Sequence, residues 1–174
     1  RNSSILLITS FTSFVLYKNP FLPFPNISLG PLGQSEEKKI LKNLIKEKRL
    51  ENEIFLAGFR KDLDNLFKNY DCFVLSSLHE EPGFVLIEAA SNFLPIISSD
   101  CRSGPKELLG NGKNGFLYKT NDEKDFISKI EEFLQISDKD LKNKLFNLNR
   151  NIQEYTFQNH SNNFEALFKK SLSK

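Results

Sequence analysis

The 174 residues include no methionine and no tryptophan, and only two cysteines, Cys72 and Cys101. Two thiols set inside apolar runs exclude a disulfide-stapled scaffold and a cysteine-built zinc site, and they fit a reducing compartment. Because methionine is missing, the chain is expected to be a piece of a longer protein. An excess of charge of one sign is also lacking, since 24 Lys+Arg stand against 22 Asp+Glu, a net +2 with both His neutral. The lysines are scattered, so no basic face offers itself to nucleic acid. Ile5-Leu6-Leu7-Ile8 and Phe14-Val15-Leu16-Tyr17 behind Arg1 imitate a targeting signal. Thr9, Ser10, Thr12 and Ser13 interrupt that stretch, which is too short to span a bilayer. The rest is the composition of one globular domain, long enough to bury roughly 70% of its unfolded surface.

From residue 26 onward, short apolar strands alternate with amphipathic helices. Ile27–Gly30, Ile54–Ala57, Cys72–Leu75, Pro95–Ser98 and Gly115–Tyr118 read as strands. Between them, Ser35 caps a helix with Ile40, Leu41, Leu44 and Ile45 on one face, and Leu63, Leu66, Phe67 and Tyr70 mark a second. A third runs from Pro82-Gly83 to about Asn92, and a helical turn covers Pro105–Leu109. This order predicts an α/β fold, a doubly wound Rossmann-like parallel sheet with helices on both faces. Three amphipathic helices follow, marked by Phe126 to Leu134, Leu141 to Ile152 and Phe164 to Leu172, and they are expected to close the domain. Residues 1–25 carry Pro20, Pro23 and Pro25 and fit no regular element.

Several motifs dissolve on inspection. Gly110-Asn-Gly112-Lys-Asn-Gly115 spells GxGxxG, but a dinucleotide fingerprint follows a strand and opens a helix. Here a helical turn precedes and a strand follows, so a plain turn is expected. Asp62-Leu-Asp64 and Asp138-Lys-Asp140 could each hold a divalent metal, yet both sit at helix starts, where aspartate caps and meets the dipole. No metal site is expected. His79 and His160 lie far from each other and from any nucleophile motif.

The informative stretch is Ser76 to Ala90, which leaves a buried strand, turns at Pro82-Gly83 and enters a helix. In an open parallel sheet, ligands bind at that strand edge. The first-turn amides of Gly83, Phe84 and Val85 lack helical partners and, with the dipole, suit a phosphate. Glu88, about one and a half turns on, is placed to reach the hydroxyls of an attached ribose. Glu80 would lie beside whatever extends past the phosphates. The competing reading is a capped helix with solvated glutamates.

Glu80 and Glu88 around Glu-Pro-Gly-Phe-Val-Leu-Ile-Glu-Ala resemble the signature of the retaining family 4 glycosyltransferases, enzymes of the two-domain GT-B architecture. The likeness extends through Asn26–Gly33, Glu36–Leu50, Ile54–Phe59, Tyr70–Ser77, Leu94–Asp100, Ser103–Glu107 and Asn114–Leu117. The resemblance implies that residues 26–135 are a donor domain for a nucleotide diphosphate sugar, UDP- or GDP-linked. Outside that likeness, residues 136–174 are read as C-terminal helices packing on the domain or leaving it, and 1–25 as an unmatched or truncated segment. The resemblance also implies transfer with retention and no metal or other cofactor, with Glu80 as the catalytic carboxylate on the sugar. The Gly83, Phe84 and Val85 amides would hold the diphosphate and Glu88 the ribose. The saccharide or lipid-linked acceptor would come through an N-terminal domain not seen in the chain. A cytoplasmic enzyme, peripheral at the membrane's inner face, is expected, and the piece alone is expected to be inactive. A non-catalytic nucleotide-binding or protein-interaction module of the same fold is the alternative.

Two departures stand out. The family's Arg and Lys diphosphate clamp has no counterpart, since only Arg1 and Lys18 precede Lys38. Phe93 occupies a position usually held by glycine.

Overall fold

The structure is a computed structural model that describes residues 14–17, 27–29, 36–56, 61–80 and 83–172. The strands are β1 (Phe14–Tyr17), β2 (Ile27–Leu29), β3 (Ile54–Leu56), β4 (Cys72–Leu75), β5 (Ile96–Ser99) and β6 (Phe116–Tyr118). They form one sheet in the order β3-β2-β1-β4-β5-β6. β2 and β3 run parallel, as do β4, β5 and β6, while β1 runs antiparallel to both neighbours. The α/β fold and doubly wound order therefore stand, with one reversed strand at the centre. Phe14–Tyr17, part of the apolar stretch that imitates a targeting signal, instead pairs in register with Cys72–Leu75.

The helices are α1 (Glu36–Glu47), α2 (Leu63–Phe67), α3 (Phe84–Ser91), α4 (Pro105–Leu108), α5 (Glu123–Gln135), α6 (Asp138–Ile152) and α7 (Phe157–Leu172), with a 3-10 turn at Gln153–Tyr155. Alternate residues of β4 face opposite sides, which splits the core in two. Phe73 and Leu75 pack with Phe67, Leu86, Ala89, Leu108 and Leu148 of α2, α3, α4 and α6. Cys72 and Val74 pack with Phe116, Phe126 and Ile130 on the α5 side. Ring edges lock both layers, Phe67 to Phe73 at 5.8 Å and Tyr118 to Phe126 at 4.9 Å.

Side chains cap two of the helices, while Asp62 makes no cap bond to α2 and Ser35, the cap expected for α1, lies outside the described residues. The Asp122 carboxylate accepts from the Asp125 amide at the start of α5. Ser137 caps α6 by accepting from the Asp140 amide and donating to the Asp140 carboxylate, 2.7 Å away. Asp62 and Asp138 sit at helix starts as expected. Residues 110–115 form the turn joining α4 to β6, the reverse of a dinucleotide motif. Gly115 is needed there because a β-carbon would meet Leu109 Cδ2 at 2.8 Å and the Ile96 carbonyl at 3.0 Å.

Two expectations fail. Residues 1–25 do hold a regular element, because Phe14–Tyr17 forms β1 between β2 and β4. α7 does not close the core, because none of its residues is buried and Phe164, Leu167, Phe168 and Leu172 are exposed. Its amphipathic spacing is real, but none of the described residues covers its apolar face. Among the described residues, no helix is long and apolar enough to cross a membrane.

Candidate functional site

The site forms where β4, β5 and β6 end, at the edge from which α3 departs. Two side-chain bonds fix the end of β4. The Tyr118 hydroxyl donates to the Leu75 carbonyl at 3.2 Å, and the Ser99 hydroxyl donates to the Ser77 carbonyl at 2.6 Å. Ser77 and Ser99 are buried, and the Ser77 hydroxyl has no partner among the described residues. The β5 edge is held in turn by Asp100, whose carboxylate accepts from the amide and hydroxyl of Thr120. Those bonds keep the Asp100 carboxyl below its usual range, the Thr120 amide contributing most.

Beyond Ser77 the chain does not loop away freely. His79 bridges Arg102 in parallel, and the Glu80 amide donates to the Arg102 carbonyl at 3.4 Å. The segment carrying Glu80 is thus tied to the loop after β5. Glu81 and Pro82 lie outside the described residues, as do Arg1, Lys18, Gly30, Gly33, Gly58 and Phe59.

Gly83 is the N-cap of α3 at φ +79°, a left-handed conformation that favours glycine. Among the described residues no side chain caps the helix, and the Leu86 amide bonds the Gly83 carbonyl at 2.9 Å. A β-carbon on Gly83 would lie 3.8 Å from Glu80 Oε2, so the Glu80 carboxylate stands at the start of α3. Phe84 is exposed and Val85 half-buried. Glu88 is exposed on α3, four residues after Phe84 and on the same side of the helix. Partial burial, and then the Asp64 charge, raise its carboxyl above the ordinary value. The Asn92 amide bonds both Asp64 Oδ1 and the Glu88 carbonyl, joining α2 to α3.

Glu80, Gly83, Phe84, Val85 and Glu88 thus share one helix start and its first turns. The sequence reading missed the serine, tyrosine and Arg102 ties. Their trace was there in Ser76-Ser77 and Ser98-Ser99, polar pairs ending two apolar strands. Cys72 and Cys101 play no part as thiolates, because burial raises both thiols.

The sheet and its flanking helices have the fold of the GT-B glycosyltransferases. The chain belongs to the glycosyl transferases group 1 family, whose model matches residues 14–158. An uncharacterized glycosyltransferase of Methanocaldococcus jannaschii is 43% identical over 86 residues, covering 49% of this chain and 21% of that protein. An Escherichia coli UDP-Gal:alpha-D-GlcNAc-diphosphoundecaprenol alpha-1,3-galactosyltransferase is 34% identical over 122 residues, 67% of this chain and 31% of the other. Anabaena HepE, crystallised with UDP and glucose, superposes with a TM-score of 0.69 at 23% identity, covering 80% of this chain and 39% of its own. The chain spans about a fifth to a third of the length of the curated relatives it matches.

Proposed function

We propose that this chain binds the nucleotide diphosphate sugar of a glycosyl transfer, and that the sugar passes with retention to a saccharide or lipid-linked acceptor. The observation that carries this reading is the meeting of Glu80 and Gly83 at an α3 terminus that no described side chain caps, on the strand edge where open parallel sheets take ligands. The Gly83, Phe84 and Val85 amides hold the diphosphate. Glu88 takes the ribose hydroxyls and Glu80 the sugar. Charge on the departing diphosphate is stabilised by fixed amide dipoles and the helix terminus, so the reading calls for no metal ion. UDP is the first nucleotide to test, because the name of the Escherichia coli relative specifies UDP-Gal.

Calorimetry with UDP and GDP tests the assignment. A carboxylate–diol contact is worth on the order of 2 kcal/mol, so Glu88→Ala should weaken binding at least tenfold while circular dichroism stays unchanged. Equal affinity of variant and parent for every common nucleoside diphosphate would overturn it.

A further inference from the structure

Glu80 takes the sugar in the reading above, yet it sits beyond the end of β4, on a stretch that regular strand pairing does not hold. The register of β4 on β5 nevertheless carries through. Leu75 pairs with Ser98, and His79 bridges Arg102, four residues further along each chain. No residue is inserted on either side, so the end of β4 sets where residues 76–80 run.

Two hydrogen bonds bracket that stretch, and they are unequal. At its far end the Glu80 amide donates to the Arg102 carbonyl at 3.4 Å, beyond the roughly 2.7–3.2 Å usual for N–H···O. At its near end the Ser99 hydroxyl donates to the Ser77 carbonyl at 2.6 Å, toward the short end for O–H···O. Ser77 and Ser99 are 0% and 2% exposed, so water does not compete for that bond. The Ser77 hydroxyl has no partner among the described residues, which leaves its carbonyl as the handle that the fold grips.

Tyr118 grips β4 as well, but at Leu75, inside the strand, so its bond holds the sheet rather than the stretch beyond. Ser99 also stands near the carboxylate. Burial is the main cause that raises the Cys101 thiol, contact with the Ser99 hydroxyl opposes it, and the Glu80 charge adds to it. Ser99 and Glu80 therefore share one buried neighbour, Cys101.

We propose that Ser99 is a positioning residue for Glu80, holding its segment through the Ser77 carbonyl so that the carboxylate meets the sugar of the donor. This rests on the donor reading above and goes beyond it, because Ser99 is buried and reaches the donor through Glu80 alone. Its effect is confined to the sugar, since the diphosphate and ribose are held by α3. Placement at such a site matters, because a misplacement of about 1 Å can cost on the order of 10²-fold.

Calorimetry on the 174-residue chain separates sugar from nucleotide. UDP-galactose and UDP-N-acetylglucosamine are each compared with UDP, and GDP-mannose with GDP. The quantity read is the affinity ratio of sugar nucleotide to free nucleotide, for the pair that binds best. Ser99→Ala should lower that ratio about fivefold or more while free-nucleotide affinity stays the same. Ser99→Cys, close to the parent in volume and a weak donor, should do likewise. Ser99→Thr keeps the hydroxyl and should restore the ratio. Lys144→Met loosens the turn before β6, at the opposite edge of the sheet, and should leave the ratio at the parent value. Glu80→Ala should lower the ratio, and Ser99→Ala added to it should change nothing more, as befits a residue acting through another.

An unchanged ratio in both Ser99→Ala and Ser99→Cys would overturn the proposal and leave nucleotide binding in place. So would an equal loss in Ser99→Thr or Lys144→Met, or a full further loss in the double variant. An unchanged ratio in Glu80→Ala would take the sugar away from Glu80 and remove both readings. A parent chain that binds no nucleotide would remove both as well.

Discussion

Glu80 and Gly83 face each other across the start of α3. A β-carbon on Gly83 would stand 3.7 Å from Glu80 Cβ, 3.8 Å from Glu80 Oε2 and 3.3 Å from Leu86 Cδ1. The backbone there is left-handed, at φ +79°, where an L side chain costs roughly 1–2 kcal/mol. Gly83→Ala should therefore lose about 1–2 kcal/mol in urea denaturation. The added carbon also crowds the Glu80 carboxylate, so UDP affinity should fall with stability. A wild-type denaturation midpoint would show that the left-handed turn is dispensable.

Phe93 ends the same helix under the opposite circumstances. It holds φ +55° just past the C-cap Asn92. The Leu94 amide bonds the Ala89 carbonyl at 3.1 Å and the Phe93 amide bonds the Ala90 carbonyl at 3.0 Å, the paired bonds of a Schellman ending. Its side chain is 57% exposed, so little packing repays the left-handed backbone. Phe93→Gly relieves roughly 1–2 kcal/mol of strain and adds about 0.5–1 kcal/mol of unfolded-state freedom. A small net rise in melting temperature is expected. A fall would mean that the ring packs against something outside the described residues.

Much of this was legible in local sequence. Cys72–Leu75 and Ile96–Ser99 are continuous runs because both faces of their strands are covered, and each lies where the periodicity put it, within a residue. The oddity of Phe93 also showed, as an aromatic where the resemblance leads one to expect glycine. What stayed hidden depends on distant partners. Nothing in Phe14–Tyr17 says that it runs antiparallel, since direction is set by pairing with β2 and β4. The spacing of Phe164, Leu167, Phe168 and Leu172 reports an amphipathic helix but not whether a neighbour covers it. Ser99 and Tyr118 reach the end of β4 across 22 and 43 residues of chain, beyond any window of local pattern.

Lys144 is another long-range device. From α6 its ammonium donates to the carbonyls of Gly112, Lys113 and Gly115 at 3.0, 3.3 and 3.2 Å, and it lies 5.0 Å from the centroid of the Phe116 ring. Partial desolvation lowers its pKa, the cost of seating a cation against a turn. Hydrogen bonds to a charged group contribute about 1.5–3 kcal/mol, discounted here because water reaches the site. Lys144→Met keeps the stem over Phe116 and should cost about 1–2 kcal/mol by urea denaturation. Hydrogen exchange should quicken at residues 110–115 before it quickens in β4. Uniform quickening would place the loss in the core instead.

Glu88 gives nucleotide binding a pH dependence. Its carboxyl is raised by partial burial and then by the Asp64 charge. In the donor reading, ribose hydroxyls donate to it, and only the ionised carboxylate accepts from both. Binding therefore favours the ionised form, and UDP affinity should decline as pH falls through the raised Glu88 value, earlier than an ordinary carboxylate would allow. For stability the sign is opposite. A folded-state pKa above the unfolded one contributes stability at low pH that is lost as pH rises through the folded value. Acid should thus ease the Glu88–Asp64 repulsion while it weakens the ligand. The terminal phosphate of UDP protonates near pH 6 as well, so the parent curve alone cannot isolate Glu88. Glu88→Gln supplies the reference, because it meets the same ligand with no titrating group. The ratio of the two affinities should fall toward one as pH drops through the Glu88 value. Parallel curves over the whole range would mean that Glu88 never touches the ribose, and the nucleotide would have to be sought elsewhere on the sheet edge.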